Sequence, residues 1–108
     1  MAPVKHISRH RTRQWLTAAY DTVRCDQALP GTSQPPEDAW FQTKDLEGRL
    51  ETYTITRDGR LKGPYGFLQI SGSFRFHAFE HSIWFEYEAH FLDGHLEQID
   101  VIRIDRST

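Results

Sequence analysis

Apolar and charged residues alternate from Ser71 to Ile104 through two strand-like runs joined by Asp93-Gly94. Side chains on a strand repeat with period two, and Asp-Gly suits a type I′ turn, so the pattern predicts a long β-hairpin. Counting outward from the turn sets Leu92 against His95, Phe91 against Leu96, His90 against Glu97, Tyr87 against Asp100, Phe85 against Ile102 and Ile83 against Ile104. That register places Ile83, Phe85, Phe91, Leu96, Ile102 and Ile104 on a face that must meet a core. The other face carries Trp84, Glu86, Glu88, His90, Glu97 and Arg103, with Trp84 opposite Arg103.

Upstream the pattern predicts shorter strands at Trp40–Thr43, Leu50–Thr56, Phe67–Ser71 and Ser73–Phe79, with a strong turn at Arg57-Asp58-Gly59-Arg60 leading into Leu61 and Lys62. Residues 8–29 lack proline and glycine and place Trp15, Ala19 and Val23 four apart, with Leu16 and Tyr20 alongside. This spacing predicts an amphipathic helix, with Ser8 as a possible N-cap and Pro30-Gly31 as its stop. The chain then reads as a single domain over 1–108, divided into a basic N-terminal helix (1–29), a proline-rich linker (30–39) and an antiparallel sheet (40–105). The expected fold is α+β, an N-terminal amphipathic helix packed on an antiparallel meander of five or six strands.

Composition narrows the function classes. An apolar fraction of 38%, 13% aromatic residues and 26% charged residues describe a globular chain. The single cysteine, Cys25, excludes an internal disulfide and a cysteine metal cluster and fits a reducing compartment. No run approaches the roughly twenty apolar residues of a membrane span, and the N-terminus lacks the apolar core of a secretory signal, so the expected location is cytoplasmic. Net charge is −2 but unevenly spread. Residues 1–29 carry three surplus positive charges and the remainder five surplus negative ones.

The segment 40–104 resembles small proteins encoded by bacteriophages and prophages. The likeness is carried by WFQTKDLEGRLETYTITRDGRL (40–61) and SGSFRFHAFEHSIWFEYEAHFLDGHLEQI (71–99). Within these, Phe41–Leu46 matches the opening motif, Tyr53–Gly59 a Tyr-x-Ile strand ending in Asp-Gly, and Trp84–Phe91 a Trp-x-Glu-Tyr-x-Ala-x-Phe hairpin. The helix and linker fall outside it. The resemblance implies a phage origin and a sheet but no catalytic residues. Small proteins of that provenance often bind host machinery, and anti-defence inhibitors such as anti-CRISPR proteins are one such class.

Candidate chemistry is sparse. His77 and His81 are four apart, roughly 13 Å on a strand and too far for one metal, and no HExxH or paired-cysteine pattern is present. Arg75, His77, Glu86 and His90 supply the residue types of a small metal-independent ribonuclease, though such groups more often form ion pairs on a polar sheet face. Cys25 and Ser71-Gly72-Ser73 lack the context of a catalytic nucleophile, and no glycine motif cradles phosphate. No catalytic residue, metal or cofactor is expected. Two binding surfaces remain. Lys5, Arg9, Arg11 and Arg13 could contact nucleic-acid phosphates. Trp84, Glu86, Glu88, His90, Glu97 and Arg103 could dock a host protein or ribonucleoprotein complex, with carboxylates matching a basic channel. The preferred expectation is a non-enzymatic inhibitor of a host nucleic-acid-handling or defence complex.

Overall fold

A computed structural model describes residues 5 and 6, as backbone, and residues 20–106. The described strands are β1 (Lys5–His6), β2 (Asp21–Cys25), β3 (Phe41–Thr43), β4 (Thr52–Ile55), β5 (Leu61–Gly63), β6 (Gly66–Leu68), β7 (Ile70–Glu80), β8 (Ile83–Leu92) and β9 (His95–Arg106). Eight of them form one path in the order β6-β5-β4-β2-β3-β7-β8-β9, and β1 pairs in parallel with the start of β7. The sheet is mixed, because β2 also runs parallel to β4 while the other neighbours along the path are antiparallel.

The α+β expectation is therefore corrected. Among the described residues the fold is all-β, and the end of the expected helix is a strand. In β2, Asp21, Val23 and Cys25 are buried while Thr22 and Arg24 alternate with them. Over so few residues the Ala19–Val23 spacing mimics a helical repeat, whereas period two and the β-branched pair Thr22-Val23 specify the strand. Of the rest of the expected helix, residues 20 and 26–29 are irregular and residues 8–19 lie outside the described residues. Asp21 anchors the element: its buried carboxylate accepts the backbone N–H groups of Gly48, Arg49 and Glu51 at 2.6, 3.1 and 3.0 Å. These bonds hold the loop before β4 against β2.

The sheet curls until its two ends approach each other. Arg60, just before β5, bridges His95 at the start of β9, and the Leu96 N–H donates to the Gly59 carbonyl at 2.7 Å. The inner face holds the core, built from Val23, Phe41, Ile55, Leu61, Phe74, Phe76, Phe85, Tyr87 and Phe91. Phe76 lies 5.0 Å from Phe41 and 5.7 Å from Tyr87, and Phe74 stacks on Phe91 at 5.9 Å. The proline-rich segment 30–39 is irregular and buries Ala39 at its end, and Leu29 just before it is buried too. Gly31 (φ +88°) packs so closely that a Cβ there would come within 2.5 Å of Val101 Cγ2.

The long hairpin forms, with its register altered by two bulges. Leu92 faces His95 and Phe91 faces Leu96, and Asp93 and Gly94 have φ of 49° and 83°, the conformation a type I′ turn requires. An extra residue in β9 then sets His90 against Gln98, Glu88 against Asp100 and Tyr87 against Val101. A second sets Glu86 against Arg103, Trp84 against Asp105 and Phe85 against Ile104. The expected partners Glu97 and Ile102 are the residues bypassed, since a bulge opposes two residues to one.

Candidate functional site

Alternation on β7 and β8 turns Phe74, Phe76, Ala78, Phe85, Tyr87 and Ala89 inward and leaves Arg75, His77, Phe79, Trp84, Glu86, Glu88 and His90 outward. Cross-strand pairing then juxtaposes Arg75 with Glu88, His77 with Glu86 and Phe79 with Trp84. At one end of this face is an ion-pair chain. Arg75 Nε lies 3.4 Å from Glu88 Oε2, and its Nη1 lies 3.8 Å from Glu86 Oε2. His90 Nε2 lies 3.6 Å from Glu88 Oε1 and 2.8 Å from Asp100 Oδ2, and Gln98 donates to both oxygens of Asp100.

At the other end the face turns aromatic. The His77 and Trp84 rings stack at 4.6 Å, and the Trp84 indole N–H donates to Glu86 at 3.1 Å. Phe79 is 58% exposed and Trp40, next to β3, 66% exposed. A shallow depression of about 300 Å³ runs between them, lined by Trp40, Gln42, His77, Phe79 and Trp84. Cations cap the rings: the Arg24 guanidinium lies 4.2 Å from the Trp40 centroid and that of Arg103 5.4 Å from Trp84. Arg24 is also fixed by bonds to the Asp38 and Ala39 carbonyls at 2.8 and 3.3 Å. Beside His77, Tyr20 and Lys44 complete a second open depression, with the Lys44 ammonium 4.8 Å from the Tyr20 ring. Burial holds His77 below the usual histidine range; Glu86 opposes that shift and Lys44 adds to it.

Of the residues expected to share this surface, Trp84, Glu86, Glu88, His90 and Arg103 do so. Glu97 does not, because the first bulge removes it from His90 and places it on a groove with Gln27, Pro30 and the turn at Arg57–Gly59. Glu88 is buried, at 8% exposure, rather than solvent-facing. Arg103 reaches Trp84 diagonally from its position opposite Glu86. Of the alternative nucleic-acid contacts, Arg9, Arg11 and Arg13 lie outside the described residues, and Lys5 is placed only as backbone in β1. The expected surface omits Trp40 and Phe79. Phe79 was legible, since it falls out of phase with Phe74 and Phe76. Trp40 was not, because its neighbours β2 and β7 are remote in sequence.

Cys25 is buried and its thiol is pushed up to about 11, chiefly by desolvation. That leaves little thiolate for nucleophilic chemistry. Among the described residues, no set of three His, Cys, Asp or Glu converges to hold a metal, and no helix is long and apolar enough to cross a membrane. Compared with known proteins, the chain matches no family model, no curated protein and no solved structure.

Proposed function

We propose that this chain is a non-enzymatic binding protein that docks a protein partner through the outer face of β7, β8 and β9 together with Trp40. The observation that carries this reading is the ring group of exposed Trp40 and Phe79 beside the partly buried Trp84, with Arg24 and Arg103 stacked on the tryptophans. Exposed contiguous rings mark interaction sites, and Trp and Arg are the residue types most enriched at binding hot spots. Glu86, Asp100 and Asp105 on the same face suit a basic partner. Arg75 is matched by Glu86 and Glu88, so this face favours a protein over a phosphate backbone. The resemblance to phage-encoded proteins supports placing the partner among host nucleic-acid-handling or defence complexes in the bacterial cytoplasm, with the chain acting as an anti-CRISPR-like inhibitor.

The test is affinity capture from a candidate bacterial host, with partners identified by mass spectrometry and affinity measured on the purified pair. The Trp40→Ala/Phe79→Ala variant should lose the partner while keeping its fold. Tyr65→Ala, at an exposed position in the turn between β5 and β6, should retain it. Equal retention by the double variant and the wild type would refute the assignment of this face.

A further inference from the structure

The path of the sheet ends at β9, a twelve-residue strand. Beside a two-residue turn the flanking pair, Leu92 and His95, exchanges both backbone hydrogen bonds, so the next residue directs its N–H and C=O away from β8. Leu96 does so, and its N–H reaches Gly59. Each bulge adds a residue to one ladder position without disturbing the alternation of positions. The outward set therefore continues as Ile99, Val101, Ile104 and Arg106. Among the described residues no strand pairs with this edge beyond the bridge from His95 to Arg60.

We infer that this edge pairs with the same edge of a second copy of the chain, antiparallel about a two-fold axis at Val101. In that register Val101 meets its own counterpart and Ile99 meets the partner subunit's Ile104. Asp100 meets the partner subunit's Arg103, and Gln98 meets the partner subunit's Asp105. Arg106 comes opposite the partner subunit's Leu96. From Ile99 to Ile104 every residue with an outward backbone meets another of that set, like faces meet, and Asp100 and Arg103 oppose unlike charges on both sides of the axis; Leu96, whose N–H Gly59 already holds, lies beyond this ladder.

The second bulge is what makes the pattern self-complementary. Asp100 and Arg103 are three residues apart, so a regular strand would send them to opposite faces; the bypassed Ile102 returns both to the outer face, at equal ladder distances from Val101. Charges and bulges also serve to blunt a lone edge, but that role requires no acid and base set at equal distances on either side of one residue. The half-exposed Val101 at the axis is an apolar side chain that the pairing would cover. The pairing shares Asp100, Arg103 and Asp105 with the proposed partner-binding face, but self-association reads it without any partner, so its failure and the failure of that reading are distinguishable.

Sedimentation across a concentration series tests it. The wild type should approach twice the 12.7 kDa chain mass, and Val101→Lys, which sets two ammonium groups on the axis, should sediment as a monomer with an unchanged circular dichroism spectrum. Arg103→Asp and Asp100→Arg should each weaken self-association roughly tenfold, because two pairs change from attraction to repulsion. Mixed with each other, those two variants should recover a heterodimer, since each supplies the charge the other lacks. A wild type that stays monomeric, or a dimer indifferent to both the lysine and the charge swaps, would overturn the inference.

Discussion

Tyr87 is fully buried, and among the described residues its hydroxyl has no hydrogen-bond partner in the aromatic core. Desolvation pushes the phenol up to about 12, with neighbouring Cys25 adding to the shift. An unsatisfied buried hydroxyl costs more than the ring gains from carrying it, so Tyr87→Phe should raise stability by about 1 kcal/mol in urea denaturation. Glu88 behaves oppositely. Its carboxylate is buried beside Arg75 and His90, so Glu88→Ala should lower stability by about 1–2 kcal/mol, a figure reduced by the partial exposure of Arg75. The sequence register places this residue toward solvent, because alternation fixes a side but not how deeply neighbours cover it. His77 makes stability depend on pH. With its folded value depressed below 6.5, the unfolded chain binds the extra proton first, so stability should fall as pH drops from about 6.5 toward the folded value. In His77→Gln that slope should be shallower in urea midpoints measured across the range.

The two turns of the β7–β8–β9 meander differ in how well residue type matches backbone. Asp93-Gly94 matches, whereas His81 and Ser82, joining β7 to β8, hold φ of 53° and 64° with no glycine to ease either. Replacing His81-Ser82 with Asn-Gly should therefore raise the thermal midpoint, by about 1 kcal/mol of stability, with no change in the strands. The same contrast shows what the sequence reveals at this scale. The pairs flanking Asp93-Gly94, the alternation of β7 and β8 and the strands near residues 41–43 and 52–55 were legible, since each is set by local chemistry. The bulges were not, because an extra residue leaves composition unchanged and is selected by packing of the neighbouring strand. Nor was β2, whose five residues fit two periodicities and gain their strand identity from Phe41 on one side and Tyr53 on the other.

At the scale of the molecule, the curl depends on contacts between remote residues: Asp21 to the loop at 48–51, β2 alongside β4, and Arg60 against His95. No local pattern announces such pairings, so the sheet could be expected from sequence but not its order or closure. One join in that order is thin. β3 meets β7 through the single register pair Gln42 and His77, supported by the Thr43 hydroxyl donating to the Arg75 carbonyl and the Arg75 N–H donating to Asp45. If the sheet opens at this seam first, β2 and β3 should exchange their amide hydrogens through openings that leave the β7–β9 meander intact. Trp40 stands on one side of that seam and Phe79 and Trp84 on the other. A partner seated on all three rings would thus act as a clasp, and its binding should slow exchange at Val23 and Gln42 far more than at Tyr87. Equal slowing at all three amides would show that the sheet opens as one piece.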